Sequence, residues 1–343
     1  MKMYKEALSY DDVLLVPQYS DIESRREVSL QSQLGHYILE LPIIASPMDT
    51  IVEAEMAAAM ADLGGLGIIH RYNTIEEQVS IASKAAMQVN NNSVGAAIPI
   101  SGDFIERAQA LMQVGVKFMC IDVAHGDHIM MKTALDALRS KLPGHVHIMA
   151  GNVATQEGYE RLVEWGADSV RVGIGGGSIC STRVQTGHGV PGLQTIIDCA
   201  QTDRKATVIA DGGIRNSGDM VKAFACGADA VMCGSLLSGT TETPGEVFEG
   251  RDGFKYKSYR GMASKEAQMK WRGKYSSFEG VSSQVPFRGS VVMILEDIER
   301  GVRSGFSYTG AQNLKELQTK ATFVRQTSAG LGESRTHINT RKW

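Results

Sequence analysis

Eight short apolar runs recur along this chain, each followed by a stretch of a different periodicity, and that alternation leaves few folds open. The runs are residues 42–45, 66–69, 94–98, 118–121, 146–149, 169–172, 207–210 and 230–232. They are apolar on successive positions rather than on alternate ones, as strands buried on both faces are. Between them, segments 53–63, 74–87, 104–114 and 159–165 carry apolar residues three and four apart, the spacing of helices with one buried face. Thr74 and Glu77 have the spacing of a capping box, which starts a helix. Strands that each lead into a covering helix form a parallel sheet, and eight such units read as a TIM (β/α)8 barrel. The expectation is an α/β chain with residues 1–343 in a single barrel domain, a length that such barrels reach as one unit.

A barrel puts its chemistry at the C-terminal ends of its strands. The strand ends here carry Ser46-Pro47-Met48-Asp49-Thr50, His70-Arg71-Tyr72-Asn73, Asp122-Val123-Ala124-His125 and Gly151-Asn152. Turn chemistry accounts for the glycines. It accounts poorly for Asp, His, Asn and Cys converging on one rim.

After the sixth run comes Val172-Gly173-Ile174-Gly175-Gly176-Gly177-Ser178-Ile179-Cys180-Ser181-Thr182-Arg183. Glycines let backbone N–H groups approach an anion, and Cys180 would then lie beside a phosphate-bearing ligand as a nucleophile. The alternative is a flexible connection with a small packed cysteine. Asp211-Gly212-Gly213 and Cys233-Gly234-Ser235 follow the seventh and eighth runs, where barrels often hold a phosphate, and Ser178 adds a hydroxyl. The picture is a phosphorylated small molecule across the barrel mouth with Cys180 at its reactive end.

The formal net charge of −3 argues against a nucleic-acid partner. No apolar run approaches the roughly 18 residues of a membrane span, and the first residues lack a signal-peptide core. Five cysteines without CxxC spacing point away from zinc and disulfides and toward a reducing, cytoplasmic setting. Cys120, Cys199, Cys226 and Cys233 read as packing residues, and His125 and His128 as loop hydrogen-bonders rather than metal ligands. Asn90-Asn91-Asn92 reads as a turn. The excursion 238–288 after the eighth run is glycine-rich and charged, and a segment of that length in a compact domain reads as a lid. Residues 328–343 form a polar tail.

Together, Asp11-Asp12-Val13-Leu14-Leu15, Ser46 to Thr50, Ala150-Gly151-Asn152-Val153-Ala154-Thr155, the Gly173 to Arg183 loop, Ala210-Asp211-Gly212-Gly213-Ile214 and Tyr256 to Met262 resemble the IMP dehydrogenase/GMP reductase family over nearly the whole chain. One departure is Gly176, where that family usually has proline. The resemblance implies a barrel that binds a purine 5′-monophosphate. It puts Ser178, Gly213, Gly234, Ser235 and Tyr259 on the phosphate and Asp211 on the ribose. Ser46, Met48, Gly261, Met262, Glu279 and Gly280 would surround the purine. Cys180 would form an adduct at purine C2, and a nicotinamide cofactor would stack on it near Asp122, Asn152 and Gly173. Arg71 fills a cationic position that reductases give to lysine. A potassium site is implied on Gly175, Gly177 and Cys180, completed by Glu333 and Ser334 of a neighbouring subunit, with a homotetramer or homo-octamer as the assembly.

The two branches of the family run opposite chemistry. The pair of CBS modules that most dehydrogenases insert after the second helix has no room at 87–93, and the flap lacks an Arg-Tyr dipeptide between Met269 and Glu279. Thr182 and Glu279 match the reductase pair for ammonia. Pulling the other way, Ser46 to Asp49, Val302-Arg303-Ser304-Gly305 and the Glu333-Ser334-Arg335 tail look dehydrogenase-like. The reading is a GMP reductase using NADPH. The alternatives are an IMP dehydrogenase without CBS modules that uses NAD, with Lys274-Tyr275 or Arg272 in place of the dyad, and a purine-nucleotide-binding protein without turnover.

Overall fold

The structure, a computed structural model, describes residues 6–89, 94–203, 206–275 and 278–334. The turn at Asn90-Asn91-Asn92 and the tail from Arg335 onward lie outside the described residues.

All eight apolar runs are strands of one closed parallel barrel: Ile43–Ala45 (β1), Leu66–Ile69 (β2), Val94–Ile98 (β3), Phe118–Asp122 (β4), His147–Val153 (β5), Ser169–Val172 (β6), Thr207–Asp211 (β7) and Ala230–Cys233 (β8). β8 closes on β1 through Val231 to Ile43, Met232 to Ile44 and Cys233 to Ala45. Helices Ala54–Asp62, Ile75–Ala86, Phe104–Gln113 and Gln156–Glu164 match the periodic segments to within a few residues. The Thr74 capping box is formed: Glu77 N–H donates to Thr74 Oγ1 at 3.2 Å and Thr74 N–H to Glu77 Oε2 at 2.8 Å. Only residues 87–93 separate the second helix from β3, so no inserted module interrupts this single barrel. No helix among the described residues is long and apolar enough to cross a membrane.

Packing inside the barrel is apolar at its lower end. Ile44, Leu66, Ile68, Phe118, Cys120, Met149, Ile209 and Met232 fill it from six of the eight strands, as barrel interiors are filled by side chains. Gly67 lets helix Ala54–Asp62 lie against the sheet, since a Cβ there would be 2.6 Å from Ala57 Cα.

Three features extend what periodicity gave. A hairpin of Ser32–Leu34 and Tyr37–Leu39 seals the bottom, with Leu34 and Leu39 joining the inner core. Strand Val13–Leu15 of the arm pairs antiparallel with Phe323–Arg325 near the other end of the chain. The excursion 238–288 is not a bare loop. Phe248–Glu249, Lys255–Arg260 and Ser282–Pro286 make a three-stranded antiparallel sheet, and helix Lys265–Arg272 lies between its second and third strands. Buried Lys257 anchors this sheet to the barrel by donating to the Thr240 carbonyl at 3.1 Å and, more closely, to that of Thr243.

Beneath the barrel, buried His147 shares a 2.8 Å hydrogen bond with Ser169 Oγ and packs on Phe118. Burial holds its pKa down at about 4, the nearby Asp168 only partly opposing this. The unfolded ring takes a proton near pH 6.5. Between pH 6.5 and 4, then, the unfolded chain binds a proton that the folded one refuses, and stability falls as pH falls. Denaturant unfolding across that window should show wild type losing on the order of 3 kcal/mol more than H147Q by the acid end, whereas parallel curves would contradict the assignment.

Candidate active site

The Cys loop takes its shape from the end of β6. Gly173 has φ of 136°, and a Cβ there would stand 2.1 Å from the Asp211 carbonyl oxygen, so the chain can leave the barrel beside β7 only as glycine. Gly176 differs. Its φ lies outside the left-handed region and a Cβ would meet Gly212 at an ordinary 3.5 Å, so this departure from the family pattern is not forced by space.

The loop then meets the excursion backbone to backbone. Ser181 N–H donates to Glu279 O at 2.8 Å and Val281 N–H to Ile179 O at 3.0 Å, while Gly261 N–H donates to Val281 O at 3.1 Å. This ladder brings residues nearly one hundred positions apart into contact. Cys180, exposed in the mouth, has its Sγ 3.1 Å from Thr182 Oγ1, and Thr182 donates to Glu279 Oε2 at 2.7 Å. Thr182 is buried, so the chain from thiol to carboxylate is shielded at its middle.

A cleft of about 230 Å³ opens beside Cys180. Every residue expected around a nucleotide lines it: Ser46, Met48, Ser178, Asp211, Gly213, Gly234, Ser235, Tyr259, Gly261, Met262 and Gly280, together with Thr182 and Glu279. Tyr259 is buried, with its hydroxyl by Ser178 and Ser235; burial pushes its pKa up, so it stays a donor. Its strand is pinned to the rim by Arg260, whose Nε lies 3.1 and 3.0 Å from the two Asp49 carboxylate oxygens.

A second cleft of about 260 Å³ shares Cys180, Thr182, Asp122, Asp211 and Gly177 with the first and adds Arg71, Tyr72, Asn152, Gly173 and Gly175. Arg71 donates to the Asp122 carbonyl at 3.0 Å and stacks on Tyr72. Its buried Nε makes no hydrogen bond but stands 3.6 Å from Asp122 Oδ2, an ion pair at the edge of the cleft. Asn152 is tied back, donating to Gly173 O and Asp211 Oδ2, both at 2.8 Å. Burial alone would raise Asp122, but the Arg171 and Arg71 guanidiniums outweigh it and hold its pKa below the usual carboxylate range. These groups suit the polar part of a nicotinamide cofactor beside Cys180.

Arg171 is the residue that sequence reasoning passed over. It occupies β6 inside a run read as hydrophobic, and only the structure reveals its partners, Asp122 and Asp211. The charge within an otherwise apolar strand was the available signal.

Not every expected residue joins the site. Glu333 and Ser334 are exposed at the end of helix Ser328–Glu333 and line neither cleft; Ser334 Oγ donates to Gly330 O at 2.9 Å. Among the described residues no His, Cys, Asp and Glu are grouped as metal ligands. His128 instead caps helix Ile129–Lys141 by accepting from Met130 N–H. Cys120, Cys199 and Cys233 are buried and Cys226 is half-buried; burial pushes all four thiols up, the first two and Cys226 to about 12, so none is primed to react.

The family model described as IMP dehydrogenase / GMP reductase domain matches residues 7–337. GMP reductase 1 of Homo sapiens is 39% identical over 333 residues, which is 93% of this chain and 95% of the relative. The inosine-5′-monophosphate dehydrogenase of Cryptosporidium parvum is 37% identical over 386 residues, covering 97% and 95%. A crystal structure of a GMP reductase variant from Trypanosoma brucei, in complex with guanosine 5′-monophosphate, superposes with a TM-score of 0.91 at 29% identity over 97% of this chain and 98% of that one.

The constraint at Gly173 is directly testable. G173A forces a side chain onto the Asp211 carbonyl, displacing the loop from β7. We expect it to weaken purine-nucleotide binding at least tenfold by calorimetry while far-UV circular dichroism keeps the barrel signal. Unchanged affinity would mean that the two strand ends do not depend on that approach.

Proposed function

The chain belongs to the IMP dehydrogenase/GMP reductase family, whose members are oxidoreductases acting on purine nucleotides, and within it we propose that this protein is a GMP reductase. It converts GMP to IMP and ammonia through a Cys180 adduct at purine C2, with NADPH as reductant. The hydrogen-bonded chain from Cys180 through Thr182 to Glu279 carries this reading.

The nucleotide lies in the first cleft, its phosphate on Ser178, Gly213, Gly234, Ser235 and Tyr259 and its ribose on Asp211. The guanosine 5′-monophosphate bound by the Trypanosoma brucei relative supports that choice of ligand. Cys180 Sγ gives up its proton toward Thr182 as the bond to C2 forms, and Thr182 passes a proton on to Glu279. The same chain, run in reverse, protonates the departing 2-amino nitrogen as the C2–N bond breaks, so ammonia leaves neutral. When bound, the nicotinamide supplies the hydride that takes the amino group's place at C2. Breaking the C2–S bond then releases IMP and a Cys180 thiolate, which takes one proton from solvent to restore the thiol. Asp122, Asn152, Gly173 and Arg71, which line the second cleft, would hold the cofactor there.

The dehydrogenase activity of the same family needs a group that activates water. The candidates on the flap face elsewhere: the Arg272 guanidinium lies over the Tyr72 ring at 6.0 Å, and Tyr275 packs edge-on to Phe278 at 6.5 Å. Neither lines a cleft. Potassium, if used, would rest on the carbonyls of Gly175, Gly177 and Cys180. Glu333 and Ser334 would reach them from another subunit of a homotetramer or homo-octamer, because they stand apart from the loop in one chain.

Purified protein given GMP and NADPH should consume reduced nicotinamide, measured by its near-ultraviolet absorbance, and should stay silent with IMP and NAD. A gain of signal with IMP and NAD would overturn the reductase assignment. C180A should bind GMP and turn over none. T182A and E279Q should each lower kcat by about 10²–10⁴-fold, the usual contribution of a positioned proton-transfer group, with a smaller effect on KM.

A further inference from the structure

Between the two clefts runs a line of alternating charge in which every neighbour is in contact. Arg71 follows β2, Asp122 ends β4, Arg171 lies within β6 and Asp211 ends β7. Arg71 Nε is 3.6 Å from Asp122 Oδ2, Arg171 Nη1 donates to Asp122 Oδ1 at 2.7 Å, and Arg171 Nη2 and Nε donate to Asp211 Oδ2 at 2.8 and 3.1 Å. The four charges sum to zero. Only 6% of the Arg171 side chain is exposed, and a guanidinium so far from water is costly unless each of its donors is used. Here all three nitrogens donate, and to two different strands. The planar fork makes this possible, because separate edges of one rigid group serve the two carboxylates.

Asp122, Arg171 and Asp211 all line both clefts, so two ligands would meet over one pair of carboxylates. On the proposed reading Asp211 takes the nucleotide's ribose, and its Oδ1 stays clear of the donors that crowd Oδ2. A ligand hydroxyl that bonds to either carboxylate fixes its rotation. That fixes the guanidinium, and through it the opposite carboxylate.

We propose that Arg171 is a positioning residue that couples nucleotide binding to cofactor binding, by holding Asp211 and Asp122 on the two edges of one guanidinium. This rests on the reading that the first cleft takes the purine nucleotide and the second the nicotinamide cofactor. The ladder makes the cost of ordering the two carboxylates common to both ligands, so whichever binds first meets it and the second binds more tightly.

The test is a thermodynamic cycle by isothermal titration: GMP alone, and GMP in saturating NADP+, a pair that cannot turn over. In wild type, NADP+ should tighten GMP by about fivefold or more, the lower end of ordinary coupling between sites. R171K keeps the charge but offers no fork, so it can hold one carboxylate and not both. Asp211 retains Asn152 and Asp122 retains Arg71, which leaves each carboxylate a partner and favours a folded protein. Its coupling should fall to within about twofold of none. R260Q, which releases the Tyr259 strand from Asp49 but leaves the ladder whole, should weaken GMP yet keep the wild-type factor. A loss that is merely structural would not separate these two variants. Should R171K melt far below wild type, D122N breaks the same ladder one rung along and must also lose coupling. Coupling that is absent in wild type, or retained in R171K or D122N, overturns the proposal. If GMP and NADP+ do not bind but IMP and NAD+ do, the reductase reading fails, and the same cycle run with IMP and NADH, which cannot turn over, decides the role of Arg171.

Discussion

Everything at the mouth of this barrel depends on a short stretch of backbone pairing between residues 179–181 and 279–281. Without the bonds from Ser181 to Glu279 and from Val281 to Ile179, Cys180 would be a cysteine on an exposed glycine-rich loop. With them, Glu279 is delivered to Thr182 at hydrogen-bonding distance, and Glu279 and Gly280 line the first cleft. The pairing is main chain to main chain, so it fixes position whatever the side chains do. The side chains are then free to be chosen for chemistry. The same logic holds below, where Gly173 allows β6 and β7 to part at a distance no other residue permits.

The barrel divides its interior by polarity. The lower half is aliphatic and aromatic, closed by Leu34 and Leu39 of the hairpin. The upper half carries charge, and Arg171 marks the boundary, with Cys120 Sγ beneath it at 3.5 Å and two carboxylates above. A charge can be kept there because neutralisation is complete and local: burial opposes the ionised forms of Asp122 and Arg171, and their mutual attraction outweighs it. Such an arrangement gives the rim fixed directions rather than extra stability. It suits a site that must present the same carboxylates to successive ligands.

The sequence showed the barrel plainly because both of its signals are local. A strand buried on both faces is apolar throughout, and a covering helix has one apolar stripe, so each unit announces itself within a dozen residues. The Cys loop was equally legible, since four glycines in five positions have few structural uses. Contacts between distant elements were not legible. Arg171 looked like an exception within Ser169-Val170-Arg171-Val172, because its partners lie on β4 and β7, about fifty and forty residues away. The excursion after β8 looked like a loop, although Lys255-Tyr256-Lys257-Ser258-Tyr259-Arg260 alternates as a strand does, with Lys257 and Tyr259 buried. Lysine on the buried face disguised that pattern. Its ammonium is satisfied by carbonyls of 240–243, an interaction that no periodicity can display.

The direction of chemistry turns on what can reach the carbon bonded to Cys180. A thiol adduct of a purine is open to two replacements, water or hydride, and one proton chain can serve either. Water succeeds when a base stands over the adduct on the side away from the sulfur. The flap residues with the right chemistry are engaged elsewhere, Arg272 over Tyr72, itself stacked on Trp271, and Tyr275 with Phe278 and Lys265. Bringing either of them over Cys180 would cost an aromatic or cation–π contact as well as the movement of helix Lys265–Arg272. On the proposed reading the Thr182–Glu279 pair is already in place, beside Cys180, where a leaving amine needs its proton. Acid–base capacity next to the leaving group, with Arg272 and Tyr275 engaged elsewhere, then disfavours hydrolysis of the adduct. That reading leaves the second cleft, with its Arg71 guanidinium and its fixed Asp122 carboxylate, as the approach to C2.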